Sequence, residues 1–167
     1  CNELKKYYPN LKLHILGNAK QIMQLNKSLF KLSFIEFHGL KSFLELKSFL
    51  KNIDIQFHLS CCDACPNAVI DCLMAGIPVI APLNTGTAEL IEPFAPKWCV
   101  DESLEIDIFP ATEILIPKIP IYKYVEVFNH IVENLSEYKV AAHNYAAMNL
   151  DISHKAKIYK EIIDRYK

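Results

Sequence analysis

Two aspartates eight positions apart, Asp63 and Asp71, flank the start of a helix opened by Pro66, and together they suit a ligand rich in hydroxyl groups. An ionised carboxylate only accepts hydrogen bonds, so it recognises O–H and N–H donors. Asp71, one turn inside the helix, is placed to take both hydroxyls of a ribose diol, and Asp63, on the loop before it, to take hydroxyls of a sugar. Between them, the amides near Ala64, Cys65, Asn67 and Ala68 belong to a helix N-terminus. N–H groups there lack intrahelical partners and carry a partial positive charge, which makes a cradle for phosphate. The chemistry this predicts is recognition of a phosphate beside a polyol. No side chain is placed as a covalent nucleophile. Pro66 and Gly76 have structural reasons alone, Pro being welcome where a helix starts and Gly where one stops.

A site of this kind needs strands to aim it. The alternating apolar residues at 11–16, ending at Gly17, predict a strand, and so does 34–37, closed by His38 and Gly39. A third strand is expected over 53–59, a short buried one over 77–81, and a last one at 98–100. Helices are expected over 1–8, 19–30, 42–50 with Ser42 as cap, 66–75, and 87–92 with Thr87 as cap. This strand–helix alternation predicts an α/β fold, a Rossmann-like parallel sheet with helices on both faces. Residues 101–121 hold three prolines and read as an irregular loop; helices resume over 122–134, 136–148 and 152–166. The chain, 1–167, is expected to be a single Rossmann-like domain.

Composition excludes several classes. The chain is 51% hydrophobic and 22% charged, a globular balance, and its net charge of −1 gives no footprint for nucleic acid. No apolar run has the length of a membrane span. The six cysteines, Cys1, Cys61, Cys62, Cys65, Cys72 and Cys99, sit in a chain able to build a core without staples, so reduced thiols and a cytoplasmic setting are expected. Cys62-x-x-Cys65 has zinc-ligand spacing but no second pair, and no metal site is expected. His14 and His58 fall inside strands and read as satisfied core or edge residues; His38 stands at a strand end beside the proposed cleft. The basic residues Lys155, Lys157, Lys160, Arg165 and Lys167 make a stripe suited to peripheral contact with anionic lipid, to solvent, or to docking another domain.

Residues 60–80, Ser-Cys-Cys-Asp-Ala-Cys-Pro-Asn-Ala-Val-Ile-Asp-Cys-Leu-Met-Ala-Gly-Ile-Pro-Val-Ile, resemble the signature of glycosyltransferase family 4, retaining enzymes of the GT-B fold. That signature has two acids separated by seven residues, a small-residue helix end and a Gly-x-Pro-Val-Ile strand. Asn84-Thr85-Gly86-Thr87-Ala88-Glu89-Leu90-Ile91 resembles the family's Gly-rich turn and Glu-Leu-Ile helix. Leu13-His14-Ile15-Leu16-Gly17 and Phe37-His38-Gly39 resemble its upstream strands, and 153–166 its closing helix.

The resemblance implies the carboxy-terminal, donor-binding half of a GT-B enzyme, with a nucleotide diphosphate sugar as substrate and no cofactor. It gives Asp63 the donor sugar as the catalytic contact, Asp71 the ribose, and Ala64, Cys65, Pro66, Asn67 and Ala68 the phosphate-side loop. Gly17 and Asn18 would lie near the phosphates and backbone at His38, Gly39 and Leu40 would face the base. Thr85, Gly86 and Thr87 would line the mouth. The expected pathway is capsule, lipopolysaccharide or other cell-surface glycan assembly, a bacterial setting that the Lys-, Ile- and Asn-rich composition suits. Two departures stand out. Both acids are Asp where the family commonly has Glu, and the family's Gly-Arg…Lys segment, which neutralises the diphosphate, is not in this sequence. That segment and an N-terminal domain holding a glycan or lipid-linked acceptor are expected to precede residue 1, leaving this piece inactive alone. A nucleotide-sugar epimerase of the same architecture and a degenerate, non-catalytic module remain as alternatives.

Overall fold

A computed structural model describes residues 1–18, 27–60, 63–101 and 120–166. Most of the helix expected over 19–30, the Cys61-Cys62 pair and nearly all of the 101–121 stretch lie outside the described residues. Contacts divide the chain into two compact units, Cys1–Asn52 and Ile53–Lys167.

In the first unit, helix α1 (Asn2–Tyr7) precedes strand β1 (Leu13–Leu16), a 3₁₀ turn (Lys27–Lys31), strand β2 (Ile35–Gly39) and helix α2 (Phe43–Leu50). β1 and β2 pair in parallel, Leu13 opposite Ile35, His14 opposite Glu36 and Ile15 opposite Phe37, before a register shift brings Leu16 to Gly39. Side chains alternate across a strand, so this register sorts them by polarity. Leu13, Ile15, Ile35 and Phe37 share one face, where the Phe30 ring stacks on Phe37 at 4.0 Å. Lys12, His14, Glu36 and His38 share the other. β2 runs to Gly39 rather than stopping at 37, because the Gly17 N–H donates to the Gly39 carbonyl at 2.9 Å. Ser42 caps α2 as expected. Its Oγ accepts from the Glu45 N–H, and Glu45 Oε2 accepts from the Ser42 N–H at 2.8 Å, closing a capping box.

The second unit runs β3 (Gln56–Phe57), α3 (Asn67–Met74), β4 (Val79–Pro82), α4 (Gly86–Ile91), a 3₁₀ turn (Pro96–Trp98), β5 (Cys99–Val100), α5 (Ile121–Glu133), α6 (Leu135–Asn149) and α7 (Ile152–Arg165). Its sheet has the order β3-β4-β5, parallel throughout. The fold class is thus the expected α/β one of parallel sheets flanked by helices, with the described strands forming a two-stranded and a three-stranded sheet. β3 is much shorter than the 53–59 stretch suggests. Its partner β4 is preceded by Pro78, which has no N–H to extend the ladder, and β4 then turns its pairing to β5 at Ala81 and Pro82.

The core of this unit surrounds β4, whose residues are all buried. Tyr124, Phe128 and Ile131 form the buried stripe of α5, and the Phe128 ring stacks on Phe57 at 5.9 Å. Trp98 is buried edge-on against Phe94 and Tyr138. On α6 the small Ala142 and Ala146 are buried and let that helix come close to α3. His143 Nδ1 bonds the Met74 carbonyl at 2.7 Å, serving the last turn of α3, and Lys139 pairs with Asp54 at 2.6 Å. Helix α7, capped by Asp151, buries none of its described side chains.

Helix α4 corrects one expectation. Thr85, not Thr87, is its cap: Thr85 Oγ1 accepts from the Ala88 N–H at 3.3 Å and donates to the Pro82 carbonyl at 2.9 Å. Thr87 is fully buried inside the helix. Both threonines have capping chemistry, and packing chose between them.

Two outcomes follow from this packing. Gly76 holds a φ of +74° at the end of α3, and a Cβ there would stand 3.0 Å from the Lys139 carbonyl oxygen of α6. Gly76→Ala is expected to cost about 2 kcal/mol, from left-handed backbone strain and this close contact. In a thermal melt that corresponds to a fall in Tm of about 4–8 °C for a chain of this size. Burial pushes the Cys72 thiol up to about 12, with Asp71 adding to it, and the Cys99 thiol up to about 11, with Glu92 adding to it. Only the thiolate reacts, so iodoacetamide near about pH 8 should label exposed Cys1 and Cys65 in the native protein and reach Cys72 and Cys99 only after denaturation. Peptide mass mapping checks this, and native labelling of Cys72 would contradict the burial.

Candidate functional site

The three strands of the second unit run the same way, so their carboxyl ends share one edge of the sheet. Just past β3, the His58 N–H donates to the Ile80 carbonyl at 2.9 Å. Just past β4, the Leu83 N–H donates to the Val100 carbonyl at 2.8 Å. Open α/β sheets bind ligands beyond this edge.

Two loops meet there. One carries Asp63 and Ala64 toward α3; the other carries Asn84 and Thr85 toward α4. Their approach depends on Gly86, since a Cβ at that position would fall 2.3 Å from the Ala64 carbonyl oxygen and 2.6 Å from its carbonyl carbon. Only glycine lets the two backbones come this near. The result is an open cleft of about 420 Å³ lined by Asp63, Ala64, Leu83, Asn84, Thr85, Gly86, Ala88, Glu89 and Glu92. Three of these residues are carboxylic acids and none is a cation. The arrangement can accept hydrogen bonds from hydroxyls, but a bound diphosphate would need positive charge from elsewhere in the protein.

Of the residues singled out in the sequence, the cleft gathers Asp63, Ala64, Thr85 and Gly86. Asp71 does not line it and lies half-buried on α3 beside Cys72. Cys65 is an exposed free thiol, Asn67 and Ala68 are exposed on the first turn of α3, and Pro66 is buried. Pro66 supplies no side-chain acceptor at the helix start. Thr87 stays in the core, its Oγ1 without a partner among the described residues.

In the first unit, Gly17 follows β1 with a φ of +122° and leads to Asn18, while Gly39 ends β2 with a φ of +66°. Leu40 is exposed directly after it. All four stand at the carboxyl ends of their own parallel pair. The His38 side chain turns to its neighbours, its Nε2 lying 2.8 Å from His14 Nδ1. Burial, then the charges of His14 and Lys41, hold the His38 imidazole below its usual pKa, against the opposing pull of Glu36. The carboxyl of Glu36 is held low by the hydrogen bond from Lys12.

The structure also brings in residues that sequence reasoning passed over. His58 reads as a core histidine from its strand pattern, yet its Nε2 is buried, has no hydrogen-bond partner among the described residues, and lies 3.7 Å from Asp63 Oδ2. That distance is too long for a hydrogen bond, but it puts the ring directly behind the carboxylate. The available signal was position: His58 stands at the strand end that feeds the Asp63 loop. Glu89 on α4 and Glu92, which caps its carboxyl end three residues on, turn to the same side and line the cleft. Among the described residues no helix is long and apolar enough to cross a membrane.

Comparison with known proteins bears on this arrangement. The family model described as "Glycosyl transferases group 1" matches residues 1–110. No curated protein matches the sequence. Among solved structures, the chain is similar to the crystal structure of Anabaena Alr3699/HepE in complex with UDP-glucose, at 15% sequence identity and a TM-score of 0.61. The similarity covers 94% of this chain and 42% of that one, so the chain spans less than half the length of that protein. At this identity the likeness speaks for the fold, which is GT-B-like, and the family match speaks for descent. With most of its length matched by the family model, the chain belongs to the group 1 glycosyl transferases.

Proposed function

We propose that this chain is the donor-binding part of a retaining, family 4 hexosyltransferase, which moves a sugar from a nucleotide diphosphate donor to an acceptor hydroxyl. The observation that carries the reading is the cleft at the carboxyl ends of β3 and β4, with Asp63 on its lip and Gly86 seated against Ala64. Asp63 would accept the hydroxyls of the transferred sugar, and His58 behind it would steady the carboxylate. Asn84 and Thr85 would border the sugar from the α4 side. Asp71 keeps the ribose and the loop from Ala64 to Ala68 the phosphates, as the family resemblance has them. Gly17, Asn18 and the backbone at 38–40 keep its phosphate and base roles.

Oriented amides would stabilise the departing nucleotide diphosphate, the larger part of the catalysis in such a site. The acidic lining leaves its charge to be balanced by cations outside this sequence, which is why the piece is read as inactive by itself. The acceptor, a glycan or lipid-linked sugar of cell-surface polysaccharide assembly, would be held by the rest of the enzyme at the cytoplasmic face of the membrane. A second reading, a module with a degenerate site, draws on Asp71 lying outside the cleft lining.

UDP-glucose, the ligand of the structurally similar protein, is the first donor to try. Calorimetric titration of the chain should show saturable binding to UDP-glucose, or to another nucleotide diphosphate sugar in a small panel. Asp63→Asn removes charge at nearly constant size, and it should weaken the sugar donor by about tenfold, the worth of a hydrogen bond to a charged group. The same variant should leave binding of the bare nucleotide diphosphate unchanged. Asp71→Asn should weaken both. If no nucleotide binds and the full-length parent is inactive, the degenerate-module reading stands instead. Gly86→Ala should abolish binding through displacement of the Ala64 backbone, measured in the same titration after circular dichroism has established that the variant is folded.

A further inference from the structure

The polar face of the β1–β2 pair holds a cluster that the glycosyltransferase reading leaves without a task. His14 and Glu36 are register partners, and His38 is two residues beyond Glu36, so the three side chains rise from the same face. Their polar atoms converge. His14 Nδ1 is 2.8 Å from His38 Nε2, Glu36 Oε2 is 3.5 Å from the first, and the same oxygen is 3.8 Å from the second. It is the one such group of potential metal ligands among the described residues.

We propose that His14, Glu36 and His38 bind a divalent transition-metal ion of the zinc class. The point equidistant from the three ligand atoms lies about 2.0 Å from each, which is the length of a Zn–N or Zn–O bond. That point lies in the plane of the three atoms; a tetrahedral ion stands out of it and spaces its ligands about 3.3 Å apart, so the two nitrogens open by about half an ångström and Glu36 Oε2 closes on His38 Nε2 by about as much. Two imidazoles and a carboxylate are the ligand set such an ion prefers over magnesium or calcium, which favour oxygen alone. Each ring would carry its proton on the other nitrogen, Nε2 of His14 and Nδ1 of His38, leaving both lone pairs for the metal.

The surroundings hold the ligands in place. Lys12 Nζ bonds Glu36 Oε1 at 2.9 Å, occupying one carboxylate oxygen and turning the other toward the rings. Phe49 of α2 meets the His14 ring edge-on at 5.6 Å and the His38 ring at 4.7 Å. Both histidine side chains are 23% exposed and Glu36 is 39% exposed, so solvent can reach the fourth position. Lys12 and Lys41 are the cations facing the cluster, and they limit its affinity without blocking it. The site does not depend on the donor-binding reading, which uses the backbone at His38 and not its ring.

Zn²⁺ titrated calorimetrically into the full chain, under reducing conditions, is expected to bind at one ion per chain. Co²⁺ in its place should give visible d–d bands without the near-ultraviolet band of a cobalt–thiolate bond, which separates this site from one built on cysteines. Glu36→Gln, a substitution at a half-exposed position, and the double variant H14Q/H38Q should each lower affinity at least about tenfold. Cys65→Ser should leave it unchanged. Circular dichroism establishes that each variant is folded, and Glu36→Gln carries the test alone if the double variant is not. Absence of binding, binding unaltered in Glu36→Gln, or a thiolate band would overturn the proposal and leave the cluster as a hydrogen-bonded patch.

Discussion

Strand β4 is the constraint around which the second unit is organised. Its four residues are all buried, and it is flanked by β3 on one edge and β5 on the other. A buried backbone must satisfy its hydrogen bonds inside the protein. β4 does so by splitting its ladder, with Val79 and Ile80 facing β3 and Ala81 and Pro82 facing β5. That division sets where each neighbouring strand ends, and the strand ends set where the loops of the cleft begin.

The cleft is then a matter of backbone proximity more than of side chains. Gly86 sits where any Cβ would strike Ala64, so the turn before α4 and the loop before α3 meet main chain to main chain. Thr85 fixes the turn from two sides, through the Pro82 carbonyl and the Ala88 amide. The ionisable groups at this edge are mostly acidic, with His58 behind Asp63. A cleft of this polarity accepts hydrogen bonds readily and offers an anion no positive charge from its own lining.

The first unit separates polarity by strand alternation. One face of β1–β2 is apolar and stacked with Phe30, while the other carries the lysine, histidines and glutamate. Alternation was legible in the sequence, and so was the polar character of His14 and His38. Their meeting was not. It required a parallel register placing His14 beside Glu36, and register is a tertiary choice between residues far apart in the chain. For the same reason His14 read from sequence as an ordinary strand histidine.

The sequence alone determined the α/β alternation, the order of the strands and of the helices among the described residues, the capping of α2 by Ser42 and the stop at Gly76, because these follow from local chemistry: periodicity, caps and breakers. It also marked out Asp63, Thr85 and Gly86 through the motif they belong to. Tertiary structure decided that Thr85 rather than Thr87 caps α4, that β3 keeps two residues of a longer alternating stretch, and that His58, Glu89 and Glu92 come to the cleft edge while Asp71 does not line it. Each of those outcomes depends on which distant segment occupies the neighbouring space. No window of adjacent residues contains that information, and packing supplies it only once the whole sheet has formed.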